Sequence, residues 1–322
     1  MTTDRTTPSS LTTVTPSRVA RQLSRLDLRA RRQLPRPVYQ TLVRGIHDAR
    51  TLTGTSPGRG RLLPDFVIIG AVKAGTTSLY GWLRRHPDIA PASAKEVHFF
   101  DYNYFRGTNW YRSHFPRAAD RTAFAAEHGH PFITGEASPS YISHHWVPQR
   151  MATVLPQAKL LVAMRNPVDR AYSQYQMSCR ENEETLDFAA AVAAEEQRLA
   201  PEHARLAADP RYNSWPIGCW SYLMRGRYAE QIERWLVHFP REQFHFLSLE
   251  ELARDPQGVL DDVHAFLGVS PHRYADLQPM HTASYGELDP ATRAQLSEYF
   301  RPHNERLYAL VGRDLGWEGE RG

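Results

Sequence analysis

The strongest constraint on this chain is a buried strand that leads through a glycine-containing loop directly into a helix. The strand is Asp65–Gly70, and the spacing of Leu79 and Leu83 predicts a helix from about Thr76 to His86. Such loops cradle phosphates, because successive backbone N–H groups and the helix N-terminus point at one anion. The sequence therefore predicts an anion site formed by Lys73, Ala74, Gly75, Thr76, Thr77 and Ser78.

The position of the lysine separates this loop from that of nucleoside triphosphatases. A Walker A loop reads G-x-x-x-x-G-K-[ST]. Gly70 and Gly75 have that spacing, but Thr76 stands where the Walker lysine belongs, and Lys73 lies inside the loop. Lysine is also rare, with three against 36 arginines, which indicates that Lys73 meets a need for a compact ammonium group. Lys159, at the start of an apolar strand, is interpreted as an ordinary surface residue.

The remaining pattern alternates strands with helices over the body of the chain. Further strands are predicted near 132–134, at 160–164 and at 243–249, and helices after Pro167, within 179–218, and at 221–238, 256–267 and 290–310. This alternation predicts an α/β fold with a doubly wound, mostly parallel sheet. We expect a single domain over 63–322, preceded by an N-terminal arm over 1–62.

The N-terminal arm is basic and the body is not. Residues 1–62 carry twelve Arg against three Asp, although the net charge of the whole chain is only +4. We expect the arm to be partly disordered and partly helical, docked on the domain or holding a homo-oligomer together. Because the basic charge belongs to the arm, nucleic-acid binding is not expected.

Composition also bears on the cellular compartment of the protein and on its metal and disulfide content. No run of 18 apolar residues is present, so no transmembrane segment is predicted. Two cysteines, Cys179 and Cys219, are too few for a disulfide framework, and no metal-binding spacing such as H-E-x-x-H occurs. These observations predict a cytoplasmic protein without a metal ion.

Four segments in order resemble one enzyme family, the sulfotransferases that use 3′-phosphoadenosine 5′-phosphosulfate (PAPS). The resemblance is to the heparan sulfate N- and O-sulfotransferase branch and its bacterial relatives, and it covers about Pro64 to Trp317. The segments are Lys73–Leu79, similar to K-x-G-T-[TS]-[SA]-L; Lys95–Asp101 with Trp110 and Tyr111, similar to K-E-x-H-F-F-D…W-Y; Gly135–Tyr141, similar to G-E-K-[ST]-P-x-Y; and Arg165–Tyr175, similar to R-[ND]-P-x-x-R-x-x-S-x-[YF].

The resemblance implies roles for the residues that bind the donor. PAPS is the co-substrate and adenosine 3′,5′-bisphosphate the product, with the 5′-phosphosulfate in the Lys73–Ser78 loop. Arg165 and Ser173 lie eight residues apart across a strand-to-helix turn, where a guanidinium and a hydroxyl would close on the 3′-phosphate. The family's late Lys-rich loop is replaced by Met280–Gly286, in which Tyr285 and His281 are candidates to cover the nucleotide; a simple connection to the last helix is the alternative.

The resemblance also implies how the reaction proceeds. Lys73 would stabilise the charge on the departing phosphate, Glu96 would act as general base, and His98 would orient or assist Glu96. A structural ion pair is the alternative role for Glu96, and Lys95 is expected to contact the sulfate or the acceptor or to lie at the surface. The acceptor is expected to be a hydroxyl or amine of a small molecule, nucleoside or carbohydrate, covered by a lid at 179–218.

Two alternative functions compete with this hypothesis. The spacing of Gly70 and Gly75 favours a P-loop nucleotide or metabolite kinase, whereas Thr76 disfavours it. A non-catalytic module whose arginine-rich arm engages acidic partners is the third hypothesis. Ala137 stands where heparan-type members often carry lysine, which removes a cation that a highly sulfated polysaccharide would contact.

Overall fold

The computed structural model describes residues 58–280 and 286–318. Five strands form one sheet in the order β2-β3-β1-β4-β5, and all four neighbouring pairs are parallel. The strands are β1 (Phe66–Gly70), β2 (Ile89–Pro91), β3 (Ile133–Ala137), β4 (Lys159–Met164) and β5 (Phe244–Ser248). The expected doubly wound α/β fold is confirmed.

Helices connect the strands and cover both faces of the sheet. They are α1 (Thr76–Leu83), α2 (Thr108–Arg112), α3 (Ala118–His128), α4 (Val147–Val154), α5 (Pro167–Arg180), α6 (Phe188–Ala208), α7 (Trp215–Trp220), α8 (Tyr228–Leu236), α9 (Leu249–Arg254), α10 (Pro256–Leu267) and α11 (Pro290–Val311). Short 3₁₀ turns lie at Tyr104–Arg106, Tyr141–Ser143, Met224–Gly226 and Arg241–Gln243.

Strand β1 shows why the sheet is covered on both faces. Side chains alternate between the two faces of a strand, and here both sets are apolar and fully buried. Val67 and Ile69 pack in one core with aromatic residues that include Phe99 and Trp235, whereas Phe66 and Ile68 pack in the other core, against α1 and α10. The central strand is therefore enclosed, as is usual for parallel sheets.

The strand order places a topological switch point between β1 and β4. From β1 the chain passes to β2 and β3 on one side, and then crosses to β4 and β5 on the other. Ligands of open α/β sheets bind in the crevice beyond the carboxyl ends of the strands at such a point. The loop after β1 contains Lys73, and Arg165 directly follows β4, so both predicted anion sites flank this crevice.

Several details differ from the sequence-based expectations. The edge strand β2 was not predicted, because it has only three residues and ends in proline. The helix predicted at 221–238 is shorter, since a 3₁₀ turn precedes α8.

The expectation for Lys159 is wrong: its amine donates to the carbonyls of Phe266 (2.7 Å) and Leu267 (3.0 Å) at the end of α10. The predicted arm lies, apart from residues 58–62, outside the described residues, and the division at 62 stays a prediction.

Candidate active site

The loop after β1 presents unpaired backbone donors at the start of α1. Lys73 and Gly75 adopt left-handed φ values of 70° and 80°, and Gly75 is the N-cap. Its positive φ favours glycine, and a Cβ there would also lie 2.7 Å from Leu249 Cδ1, which would have to move. The N–H groups of Gly75, Thr76, Thr77 and Ser78 donate to no group of the described residues. These free donors suit a bound oxyanion.

Two hydroxyls of the loop are buried, and one of them has a protein partner. Thr76 and Ser78 are only 4% and 8% exposed. The Ser78 hydroxyl accepts a hydrogen bond from the N–H of Met280 at 3.0 Å, which ties the segment before 281 to α1. Tyr285 and His281 lie outside the described residues, so their predicted contact with the nucleotide stays a prediction.

The Lys73 amine lies in a positive environment. Its nearest polar contact among the described residues is the sulfur of Met177 on α5, at 4.0 Å, and it pairs with no carboxylate of those residues. Burial lowers the pKa of Lys73, and the charges of Arg180 and Arg165 lower it further. An anion in the loop would offset these like charges.

Arg165 and Ser173 flank the same crevice. The Tyr228 hydroxyl donates to the Arg165 carbonyl at 3.0 Å and fixes the backbone there, while the Arg165 guanidinium makes no hydrogen bond to a described residue. Ser173 is 4% exposed and lies one turn before Met177 on α5, on the side that faces Lys73. The two predicted donor-binding residues therefore border one positively charged region.

A second cluster joins four side chains of the segment 95–101. The Glu96 carboxylate lies 2.7 Å from the Lys95 amine through Oε1 and 3.3 Å from His98 Nε2 through Oε2. The other ring nitrogen, His98 Nδ1, lies 2.8 Å from Oδ2 of Asp101, whose side chain is fully buried. The imidazole therefore bridges two carboxylates.

The charges of this cluster follow from its geometry. Burial opposes protonation of His98, but Asp101 and Glu96 outweigh it and raise the pKa of His98 to about 10. Burial would raise the pKa of Glu96, but the hydrogen bond from His98 and the charge of Lys95 lower it to about 2. At neutral pH the cluster holds a cationic imidazole between two carboxylates.

Hydrogen bonds to the end of β3 and to the residue after it hold the backbone of this segment in place. The Glu96 N–H donates to the Ala137 carbonyl (3.0 Å), and the His98 N–H donates to the Ser138 hydroxyl (3.2 Å). Glu96 and His98 adopt left-handed φ values of 60° and 52°. Such strained conformations persist where the surrounding structure enforces them, and they concentrate at functional sites.

The chain matches the Sulfotransferase domain family over residues 63–287, well over half of its length. The chain belongs to the sulfotransferase family.

Relatives and one solved structure agree with this assignment. Human "Heparan sulfate glucosamine 3-O-sulfotransferase 6" is 33% identical over 82% of this chain and 76% of its own length. "Membrane-associated sulfotransferase kil1" of Dictyostelium discoideum is 27% identical over 81% of this chain and 68% of its own. The crystal structure of a sulfotransferase from Alicyclobacillus acidocaldarius has a TM-score of 0.61 and 36% identity, and the match covers 80% of this chain and all of that one.

This sulfotransferase is therefore an enzyme that transfers sulfate. The assignment confirms the resemblance and sets aside both the P-loop kinase and the non-catalytic binding module. No helix of the described residues is long and apolar enough to cross a membrane. No three His, Cys, Asp or Glu residues in the described part of the chain cluster in a way that would hold a metal ion.

Two carboxylates of the sulfotransferase site were not assigned roles from the sequence. Asp101 is the buried carboxylate that contacts Nδ1 of His98 at 2.8 Å. Glu136 on β3 is fully buried and accepts hydrogen bonds from Tyr111 (2.7 Å), Ser138 (2.7 Å) and Tyr141 (3.2 Å). Asp101 lies in the motif segment Lys95–Asp101 and Glu136 in the segment Gly135–Tyr141. Membership of these segments is the sequence feature that could have pointed to both residues. Ala137 is fully buried, and its carbonyl accepts the N–H of Glu96.

Proposed function

We propose that this sulfotransferase moves a sulfuryl group from PAPS to a hydroxyl of a carbohydrate acceptor. The observation that carries the proposal is the Asp101–His98–Glu96 chain, which leaves Glu96 with a 39% exposed side chain at the edge of the sheet from which the Lys73 loop also starts. Glu96 follows the carboxyl end of β2 and is bonded to the end of β3, and β3 neighbours β1. A base and an anion loop thus occupy the same edge of the sheet.

Glu96 would accept the proton of the acceptor hydroxyl as the acceptor oxygen forms its bond to sulfur. Lys73 and the free N–H groups of the loop would stabilise the charge that the departing phosphate oxygen gains as its bond to sulfur breaks. His98 cannot accept a proton while it is an imidazolium, so we assign it the positioning of Glu96. Arg165 and Ser173 would hold the 3′-phosphate.

The low pKa of Glu96 has a consequence for the acceptor. A carboxylate with a pKa of about 2 is a weak base in the free protein. Lys95 contributes to that low value, and its side chain is 29% exposed. An acceptor that separated Lys95 from Glu96 would raise the pKa of Glu96 and strengthen the base. The prediction that Lys95 contacts the acceptor is consistent with this arrangement.

Nucleotide binding tests the donor assignment. The account predicts that adenosine 3′,5′-bisphosphate binds in calorimetry and that ATP binds far more weakly. Preferential binding of ATP would contradict it. Screening carbohydrates with labelled PAPS would then identify the acceptor. A cytoplasmic location, the absence of a metal requirement and a homo-oligomer formed by the arm stay predictions.

A further inference from the structure

A cavity of about 580 Å³ lies next to the charge cluster and is not used by the mechanism above. Tyr102 and Ser140 line it on the side of the active site. The Tyr102 ring stacks on His98 with centroids 4.9 Å apart, and the Ser140 hydroxyl donates to Asp101 Oδ2 at 2.9 Å. The remaining walls are formed by α6, α7, the turn before α8, α8 itself, residues 143–145 and Tyr299 of α11. One residue layer therefore separates the cavity from the residues that hold Glu96.

Arg225 on the cavity wall is buried without a charge partner. It is 7% exposed, its Nη1 donates to the Gly218 carbonyl at 3.2 Å, and its Nε is buried with no partner. Among the described residues, no carboxylate pairs with it and nothing accepts from Nη2. A buried guanidinium with few partners is costly, because the donors of a cation lose water without gaining hydrogen bonds in return.

The other buried arginines of the described chain show that this is unusual. Arg150 is 9% exposed and donates to the carbonyls of Phe100 (2.7 Å), Asp101 (3.3 Å) and Pro210. Arg170 is fully buried and donates to Gln174 (2.8 Å) and to two backbone carbonyls. Each of them makes three hydrogen bonds inside the protein, whereas Arg225 makes one and borders a cavity.

The acidic residues of the cavity wall make no ion pair with Arg225, although the charges of Glu195 and Asp101 favour its protonated form. Glu195 accepts the N–H groups of Leu223 (2.6 Å) and Met224 (2.9 Å), and Glu230 lies 3.4 Å from His303. Glu196 is an exposed residue of the wall. His144 accepts the N–H of Trp146 on Nδ1, and burial lowers the pKa of His144 to about 4, so it is neutral. The cavity wall thus carries a guanidinium whose Nη1 makes one hydrogen bond and whose Nη2 makes none to a described residue.

We propose that Arg225 binds an oxyanion of the acceptor in this cavity while the reacting hydroxyl lies at Glu96. The inference rests on the proposed function, because it takes the cavity to be the acceptor side of the sulfuryl-transfer site. A guanidinium matches both carboxylates and sulfate esters bidentately. The acceptor would therefore be an acidic sugar, and Arg225 would select it against neutral sugars.

The test uses the full chain saturated with adenosine 3′,5′-bisphosphate, so that the donor site is occupied. Three probes are titrated by calorimetry or ligand-observed NMR: methyl β-D-glucuronide, its uncharged counterpart methyl β-D-glucoside, and D-glucose 6-sulfate. We expect at least one of the two acidic probes to bind about tenfold to a hundredfold more tightly than the glucoside. The tighter acidic probe shows whether the group is a carboxylate or a sulfate ester.

Arg225→Met should abolish this preference without lowering the melting temperature, because it removes an unpaired buried charge. The Gly218 carbonyl keeps a partner in Gln174 at 3.0 Å. Arg227→Met is the matched control. It removes the same charge from the same wall, but the Arg227 Nε already donates to the Tyr299 hydroxyl at 2.8 Å. The control should keep the preference.

Three results would overturn the inference: equal or no binding of acidic and neutral probes in the wild type, an equal loss in both variants, or an Arg225→Met protein that melts lower and keeps the preference. Failure of the proposed function is distinguishable, since adenosine 3′,5′-bisphosphate would then not bind. Normal nucleotide binding with no preference for acidic sugars contradicts only the role of Arg225.

Discussion

His98 Nε2 lies 3.3 Å from Glu96 Oε2, and the opposite nitrogen of the same ring lies 2.8 Å from Asp101. The ring therefore holds the exposed carboxylate through one nitrogen and is held by a buried carboxylate through the other. In the proposed mechanism the two residues have different roles: Glu96 accepts the proton of the acceptor, whereas the imidazole of His98 positions Glu96.

The stability of the protein should decline as pH rises above neutrality. The pKa of His98 is raised from its ordinary value of 6.5 to about 10 in the folded protein. The stabilisation from this group is therefore complete below about pH 6.5 and is lost as pH rises through 10, with a slope of at most about 1.4 kcal/mol per pH unit for one proton. Urea unfolding between pH 6 and 10 measures it.

Removal of His98 provides the control for that pH dependence. His98→Gln should lose this decline, and it should lower the free energy of unfolding by about 3 kcal/mol near pH 7, because Asp101 remains buried and charged. Adding Asp101→Asn should restore part of the loss. A His98→Gln protein with the stability and pH profile of the wild type would show that the imidazole is not charged.

Lys73→Ala should lower turnover by about 10²–10³, the usual cost of one preorganised donor. The reason is that Lys73 is a cation in the anion loop with no carboxylate partner among the described residues. Lys159→Met is the matched control. It removes a lysine that caps α10, so it should lower the melting temperature and leave the rate per folded molecule unchanged. Near-normal turnover of Lys73→Ala would remove Lys73 from the mechanism.

Arg165→Ala should weaken binding of adenosine 3′,5′-bisphosphate about tenfold to a hundredfold, because a charge-assisted fork to phosphate is lost. Adenosine 5′-phosphosulfate, which has no 3′-phosphate, provides the comparison. Its affinity should be the same for wild type and variant if Arg165 contacts that phosphate. An equal loss for both nucleotides would place the Arg165 contact elsewhere on the donor.

The residues of the site that could be predicted are those whose position follows from a local sequence pattern. Lys73 and Arg165 follow buried apolar strands, so the sheet itself brings them to the same edge. The link from His98 to Asp101 could not be derived in this way, because it depends on left-handed backbone at Glu96 and His98, which is uncommon for residues other than glycine. The role proposed for Arg225 could not be derived from the sequence either, because a missing hydrogen-bond partner is a property of tertiary packing.

The most direct test of the account is the Glu96→Gln enzyme assayed with labelled PAPS and a carbohydrate acceptor. Glutamine keeps the shape and the hydrogen bonds of Glu96 but cannot take the proton. The account predicts unchanged affinity for adenosine 3′,5′-bisphosphate, a folded protein, and sulfuryl transfer reduced by about 10²–10⁴. A folded, nucleotide-binding Glu96→Gln enzyme that transfers at the wild-type rate would contradict the central claim.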